Sequence, residues 1–195
     1  MPAIFLWWIG TGPAPARQLR DVRAHVERVF GMPTTIWPGA ERPRETYDPG
    51  RGQHSSTRTL EWLRRHAPEG AARTLGITDA DLFIPVLTFV YGEAQLGGPV
   101  AVVSTARLAG PPGPVGERLL TARLAKESIH ELGHTFGLLH CDTPRCVMSR
   151  SVTVASIDAK ASTLCADCRT RLLERALEDE NAHDPGTRTH PDRRR

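Results

Sequence analysis

His130-Glu131-Leu132-Gly133-His134-Thr135-Phe136-Gly137-Leu138-Leu139-His140 reads H-E-x-x-H-x-x-G-x-x-H. On an α-helix a four-residue step turns about 400°, so His130 and His134 stand roughly 40° apart on one face. Their imidazoles can reach one zinc ion from neighbouring turns. Glu131 is too short and badly aimed to join them as a ligand. It is placed instead to hold a zinc-polarised water and take its proton. Gly137 falls where the helix should stop, and a glycine accepts the left-handed turn that ends it. That turn lets His140 swing back as a third nitrogen ligand. Three protein ligands with a fourth position open to water make a catalytic zinc site rather than a closed structural one.

The four cysteines of the chain follow at once: Cys141, Cys146, Cys165 and Cys168. C-x4-C followed by C-x2-C is the spacing of a closed site with four thiolate ligands. Two disulfides in a secreted protein are the alternative, as is a redox pair at Cys165 and Cys168. No thioredoxin-like strand precedes that pair. Met148, shortly after His140, is placed like the methionine of a metzincin Met-turn, a floor beneath the imidazoles rather than a ligand.

The string from Ser128 to Cys168 resembles the archaemetzincin family, zinc proteases with a second zinc site beside the catalytic one. The family pattern has one more residue between the methionine and the second cysteine pair than Ser149 to Leu164 provides. A one-residue loop deletion leaves the ligand assignment standing. The resemblance implies a metzincin-like α/β (α+β) fold, with a mixed five-stranded sheet, an active-site helix and a small zinc-stapled C-terminal half. It implies two zinc ions per chain, one catalytic on His130, His134 and His140, one structural on Cys141, Cys146, Cys165 and Cys168. It also implies that an edge strand at 89–94 pairs with an extended peptide or protein substrate.

Length and composition agree with one soluble domain. The 195 residues suffice for a single core. Residues 1–178 read as that domain, divided into an upper region (residues 1–137) and a lower region (residues 138–178), and 179–195 as a disordered charged tail. The longest apolar run, Ala3 to Ile9, is too short for a membrane span and lacks the flanks of a secretory signal. Four thiols with none left over suit a reducing, cytoplasmic location. A formal charge of +3, much of it from Arg193 to Arg195, does not argue for nucleic acid. The basic residues are arginines except Lys126 and Lys160.

Along the chain, Ala3 to Ile9 reads as a strand buried on both faces. Leu19, Val22, Val26, Val29 and Phe30 recur at helical spacing up to Gly31. Thr34 to Trp37 is a second strand, and Gly39 to Gly52 an exposed loop. Ser55 or Ser56 caps a helix ending at Pro68, and a short helix is expected from Glu69 to Leu75. Strands are expected at Leu82 to Ile84, Thr88 to Ala94 and Val100 to Thr105, the last two as an antiparallel hairpin. A long helix runs from Glu117 into the histidine motif and ends near Gly137. After a loop from Ser149 to Thr163, Leu172, Leu173, Ala176 and Leu177 stripe a last helix.

The reaction implied is metal-assisted peptide hydrolysis with Glu131 as general base and then general acid. Some metzincins carry a tyrosine just after the Met-turn. Here Ser149, Arg150 and Ser151 follow Met148, so that helper for the oxyanion is missing, and Tyr47 and Tyr91 are distant in sequence. Two other readings are a zinc-stabilised peptide-binding protein with weak or lost hydrolysis, and a nucleic-acid module led by Arg169, Arg171 and Arg175. His25, His54, His66, His183 and His190 gather nothing round them.

Overall fold

The computed structural model describes residues 2–183, with side chains through Leu177. Strand β1 (Ala3–Ile9) leads into helix α1 (Ala16–Phe30), β2 (Thr34–Ala40), the short strands β3 (Tyr47–Asp48) and β4 (Gln53–Ser55), and α2 (Ser56–His66). Then come β5 (Ala71–Thr78), β6 (Leu82–Phe83), β7 (Gly92–Ala94), β8 (Val100–Ser104), α3 (Pro114–Thr135), α4 (Val154–Ala159) and α5 (Ala166–His183). The main sheet has five strands in the order β2-β1-β5-β8-β7. Its first four members are parallel, and β7 pairs antiparallel with β8 at the edge.

Both faces of that sheet are covered, which is why β1 is apolar throughout and β8 is apolar from Val100 to Val103. Ile4, Leu6 and Trp8 on β1, with Leu75 and Ile77 on β5 and Ala101 and Val103 on β8, pack against α1 and α3. Trp7, Ile9, Val100 and Val102 point the other way, onto Leu60 and Leu63 of α2. The first cluster continues without a break into the lower region through Met148, Ile157, Leu164 and Leu172. Ser55 caps α2, its side chain accepting from the amide of Arg58. Among the described residues no helix is long and apolar enough to cross a membrane.

The expected number of strands in the main sheet is present, but one member differs. Ala71–Thr78, whose first half reads as a helix, is the central strand β5, hydrogen-bonded to β1 on one side and β8 on the other. Two open strand edges outweigh local helix preference, and Leu75 and Ile77 alternate onto the α1 and α3 face as a strand requires. Leu82–Phe83 instead joins a separate three-stranded sheet, β3-β4-β6, built partly from the segment that reads as an exposed loop. The edge strand is shorter than expected: only Gly92–Ala94 pair with β8, and Val90 bridges to Leu82. Helix α5 runs on to His183, five residues into the segment expected to be a disordered tail; 184–195 lie outside the described residues.

Candidate active site and metal centres

Helix α3 begins at Pro114 and packs across the sheet, so its last turn arrives beneath the edge strand. His130 and His134 lie in that last stretch, and Gly137 takes φ +80, turning the chain so that His140 comes back towards them. His130 Nδ1 stands 2.9 Å from the carbonyl oxygen of Val147, and His134 Nδ1 2.7 Å from that of Leu138. A carbonyl can only accept, so each Nδ1 carries the proton and each Nε2 presents a lone pair. The two Nε2 atoms are 3.2 Å apart. Two nitrogens about 2.0–2.1 Å from a shared tetrahedral zinc would be roughly 3.3–3.4 Å apart. One nitrogen from each of His130, His134 and His140 falls within 4.8 Å of the others. The donor set therefore fits a zinc ion.

Burial and nearby cations disfavour the charged form of these rings. Burial first, then the Lys160 ammonium, hold His130 well below the ordinary histidine range. Burial lowers His134 and His140 too. His140 is exposed and differs from the other two: the Arg150 guanidinium lies 3.4 Å from its Nδ1, where they have a backbone acceptor. Glu131 is buried, and burial, reinforced by Glu127, pushes its carboxyl well above the usual range. A divalent cation on the neighbouring histidines acts in the opposite sense.

Two glycines make the site possible by leaving space. An ideal Cβ on Gly92 would lie 2.6 Å from Glu131 Cγ and 2.8 Å from Glu131 Oε1, so the carboxylate nests against the bare backbone of the edge strand. A Cβ on Gly133 would lie 2.5 Å from the Met148 sulfur. Met148 is wholly buried there, packed on α3 between the two histidine positions.

The four cysteines form the second set. All are unbonded thiols, and their sulfurs lie within 4.8 Å of one another. Cys141 Sγ and Cys165 Sγ are 3.8 Å apart, about the edge of a tetrahedron with 2.3 Å zinc–sulfur bonds. This geometry fits a shared metal and is too long for a disulfide. The Cys168 amide, donating to the Cys165 sulfur, brings that thiol down to about 7. Burial pushes Cys168 upward. The two sets share backbone: Cys141 follows His140, and Val147, between Cys146 and Met148, supplies the acceptor for His130.

Gly92, Glu127 and Lys160 carry no motif and are missing from the sequence reading of the site. For Lys160 a signal was available, since it is one of only two lysines in the chain. Glu127 and Lys160 form an ion pair of 2.9 Å with both side chains buried. A cavity of about 420 Å³ opens beyond the end of the edge strand, lined among others by Leu96, Gly97, Phe136 and Leu139.

A mixed sheet over a helix that delivers two histidines, with a third returning from a glycine turn, defines the chain as a zinc metallopeptidase. The model of peptidase family M54 matches residues 70–175. An archaemetzincin of Methanopyrus kandleri is 41% identical over 153 residues, covering 78% of this chain and 84% of that protein. The crystal structure of the Methanopyrus kandleri archaemetzincin superposes with a TM-score of 0.81 at 35% identity, covering 90% of this chain and 96% of the other. The Archaeoglobus fulgidus archaemetzincin, solved with malonate, gives 0.74 at 30% identity over 87% and 99% of the two chains. The chain belongs to the archaemetzincins, peptidase family M54.

Proposed function

We propose that this peptidase cleaves peptide bonds at a zinc held by His130, His134 and His140, with Glu131 as general base, and that Cys141, Cys146, Cys165 and Cys168 hold a second, structural zinc. The observation that carries this reading is the convergence of both donor sets, each within 4.8 Å. Zinc bound to the histidines supplies acidification of a water and polarisation of the scissile carbonyl. The chain's own groups do the rest. Val147 O and Leu138 O hold the Nδ1 protons of His130 and His134, keeping both Nε2 lone pairs convergent. Glu131, against Gly92, accepts the proton of the water at a carboxylate oxygen and passes it to the departing amine. Met148 supports the imidazoles from below. The four-cysteine shell is closed and carries no chemistry.

The substrate is an extended peptide that adds as a strand to β7, whose outer edge has no partner strand among the described residues. An added antiparallel strand runs opposite to β7. Its residues N-terminal to the scissile bond then lie at the Leu96 end, beside the cavity. Four thiols used as metal ligands suit a reducing compartment such as the cytoplasm.

The test is elemental analysis together with cleavage of a mixed peptide library, with and without a chelator. Two zinc ions and chelator-sensitive cleavage are expected. Two zinc ions without turnover would leave a peptide-binding protein, and one zinc ion would mean that one donor set is misassigned.

A further inference from the structure

The Glu127–Lys160 pair is not needed to explain the fold. Glu127 sits on α3, three residues before His130 and one turn before Glu131. Lys160 is the residue that ends α4. Their side chains are 3% and 0% exposed. Burying two charges costs several kcal/mol per ion, and apolar residues of the same volume often give an equally stable or more stable core. The pair therefore calls for a reason other than stability.

The partners supply one. Lys160 Nζ also donates to the carbonyl of Ser149, at 3.2 Å, the residue directly after Met148. Ser151 Oγ donates to Glu127 Oε1 at 3.4 Å. One turn back on α3, Arg123 grips Asp158 with two hydrogen bonds of 2.8 and 2.7 Å. Lys126 donates to the carbonyls of Ile157 and Asp158, at 2.9 and 3.0 Å. Arg123, Glu127 and Glu131 follow at four-residue steps. A single stripe of the helix thus grips α4 and the Met148 turn, then presents the general base.

Both lysines of the chain, out of 25 Lys and Arg residues, stand at this junction. An ammonium is a compact charge that can serve acceptors on two different elements in a confined space. A guanidinium is a larger planar fork. In an otherwise arginine-rich chain, the lysines are found where compactness matters.

We propose that the buried Glu127–Lys160 pair is a positioning clamp for the histidine site: it ties the Ser149 carbonyl, and with it the Met148 turn, to α3, so that the Val147 carbonyl meets Nδ1 of His130 and directs Nε2 at the metal. The proposal rests on reading the three histidines as a metal site. It assigns Lys160 and Glu127 no contact with metal or substrate. It also makes the clamp separate from the four-cysteine staple, which holds the same turn from its other side at Cys146.

The experiment is a competition titration with a chromogenic chelator and a Co(II) visible spectrum, on the full chain. The double variant Glu127→Gln with Lys160→Met removes both charges and keeps the volume. Its melting temperature should stay at or above wild type and its thiolate-bound metal should remain. Its histidine-site affinity should fall about 10- to 100-fold, the usual effect of losing an outer partner of a metal-bound histidine, with a changed Co(II) spectrum. A second variant, Lys160→Arg, keeps the charge but not the compact head, and should weaken the same site to a lesser degree. It gives an answer even if the double variant does not fold. Wild-type affinity and spectrum in a folded double variant, or in Lys160→Arg should the double fail to fold, overturn the clamp while leaving the histidine site standing. A wild-type protein that binds no metal at the histidines overturns the site reading and the clamp with it.

Discussion

Gly92 and Glu131 occupy a space that only one side chain can fill: a Cβ on Gly92 would stand 2.6 Å from Glu131 Cγ and equally close to the Val102 carbonyl. The edge strand that would receive the substrate and the base that would act on it are therefore in direct contact. Gly92→Ala must displace Glu131, the strand, or both. Overpacking of this kind costs about 1–3 kcal/mol, and kcat should fall by about tenfold or more with metal content retained. Steady-state kinetics beside elemental analysis check this. Unchanged kcat in a metal-replete variant would mean that the base tolerates the shift.

Glu131→Gln should leave the metal content unchanged and remove hydrolysis, a loss of about 10²- to 10⁴-fold for a general base. Because burial pushes the Glu131 carboxyl upward, a neutral amide of the same shape should not lower the melting temperature. Loss of zinc from this variant would show that Glu131 is a ligand.

Cys165→Ser puts a hard oxygen among three thiolates and should weaken zinc binding at the proposed four-cysteine site. The loop from Cys141 to Cys168 then loosens at one end. Val147 lies inside that loop and accepts from His130, and Cys141 is bonded to His140. We expect weaker zinc binding at the histidines, although Cys165 does not reach them. Titration of both metals in wild type and variant decides it. If the thiolate metal is lost while the histidine metal holds as before, the two centres are mechanically independent.

Asp158 accepts two hydrogen bonds from Arg123, which hold its carboxyl below the usual aspartate range. A depressed carboxyl stabilises the fold above its unfolded pKa of about 3.9 and ceases to do so as pH falls through its folded value. Because Asp158 is 40% exposed, the contribution is screened to about 1 kcal/mol at most. Urea unfolding of wild type and Asp158→Asn should differ above about pH 4 and converge below it. A difference that persists at pH 2 would point to another cause.

The two groups of donor residues that the structure brings together were legible in the sequence because they depend on local geometry. His130 and His134 lie one helical turn apart, Gly137 permits the left-handed turn, and the two cysteine pairs keep a fixed spacing. The same holds for α1, with its repeat from Leu19 to Phe30, and for the hairpin of β7 and β8. Those features need only the helix period, a glycine or a short turn. By contrast, Ala71–Thr78 became the central strand because β1 and β8 offer it hydrogen bonds on both sides, which no window of eight residues can reveal. The place of Gly92 against Glu131, and of Lys160 against Glu127 and Ser149, was likewise decided by tertiary packing. Glu127 and Lys160 are 33 positions apart, and only the docking of α4 onto α3 brings the two charges within 2.9 Å of each other.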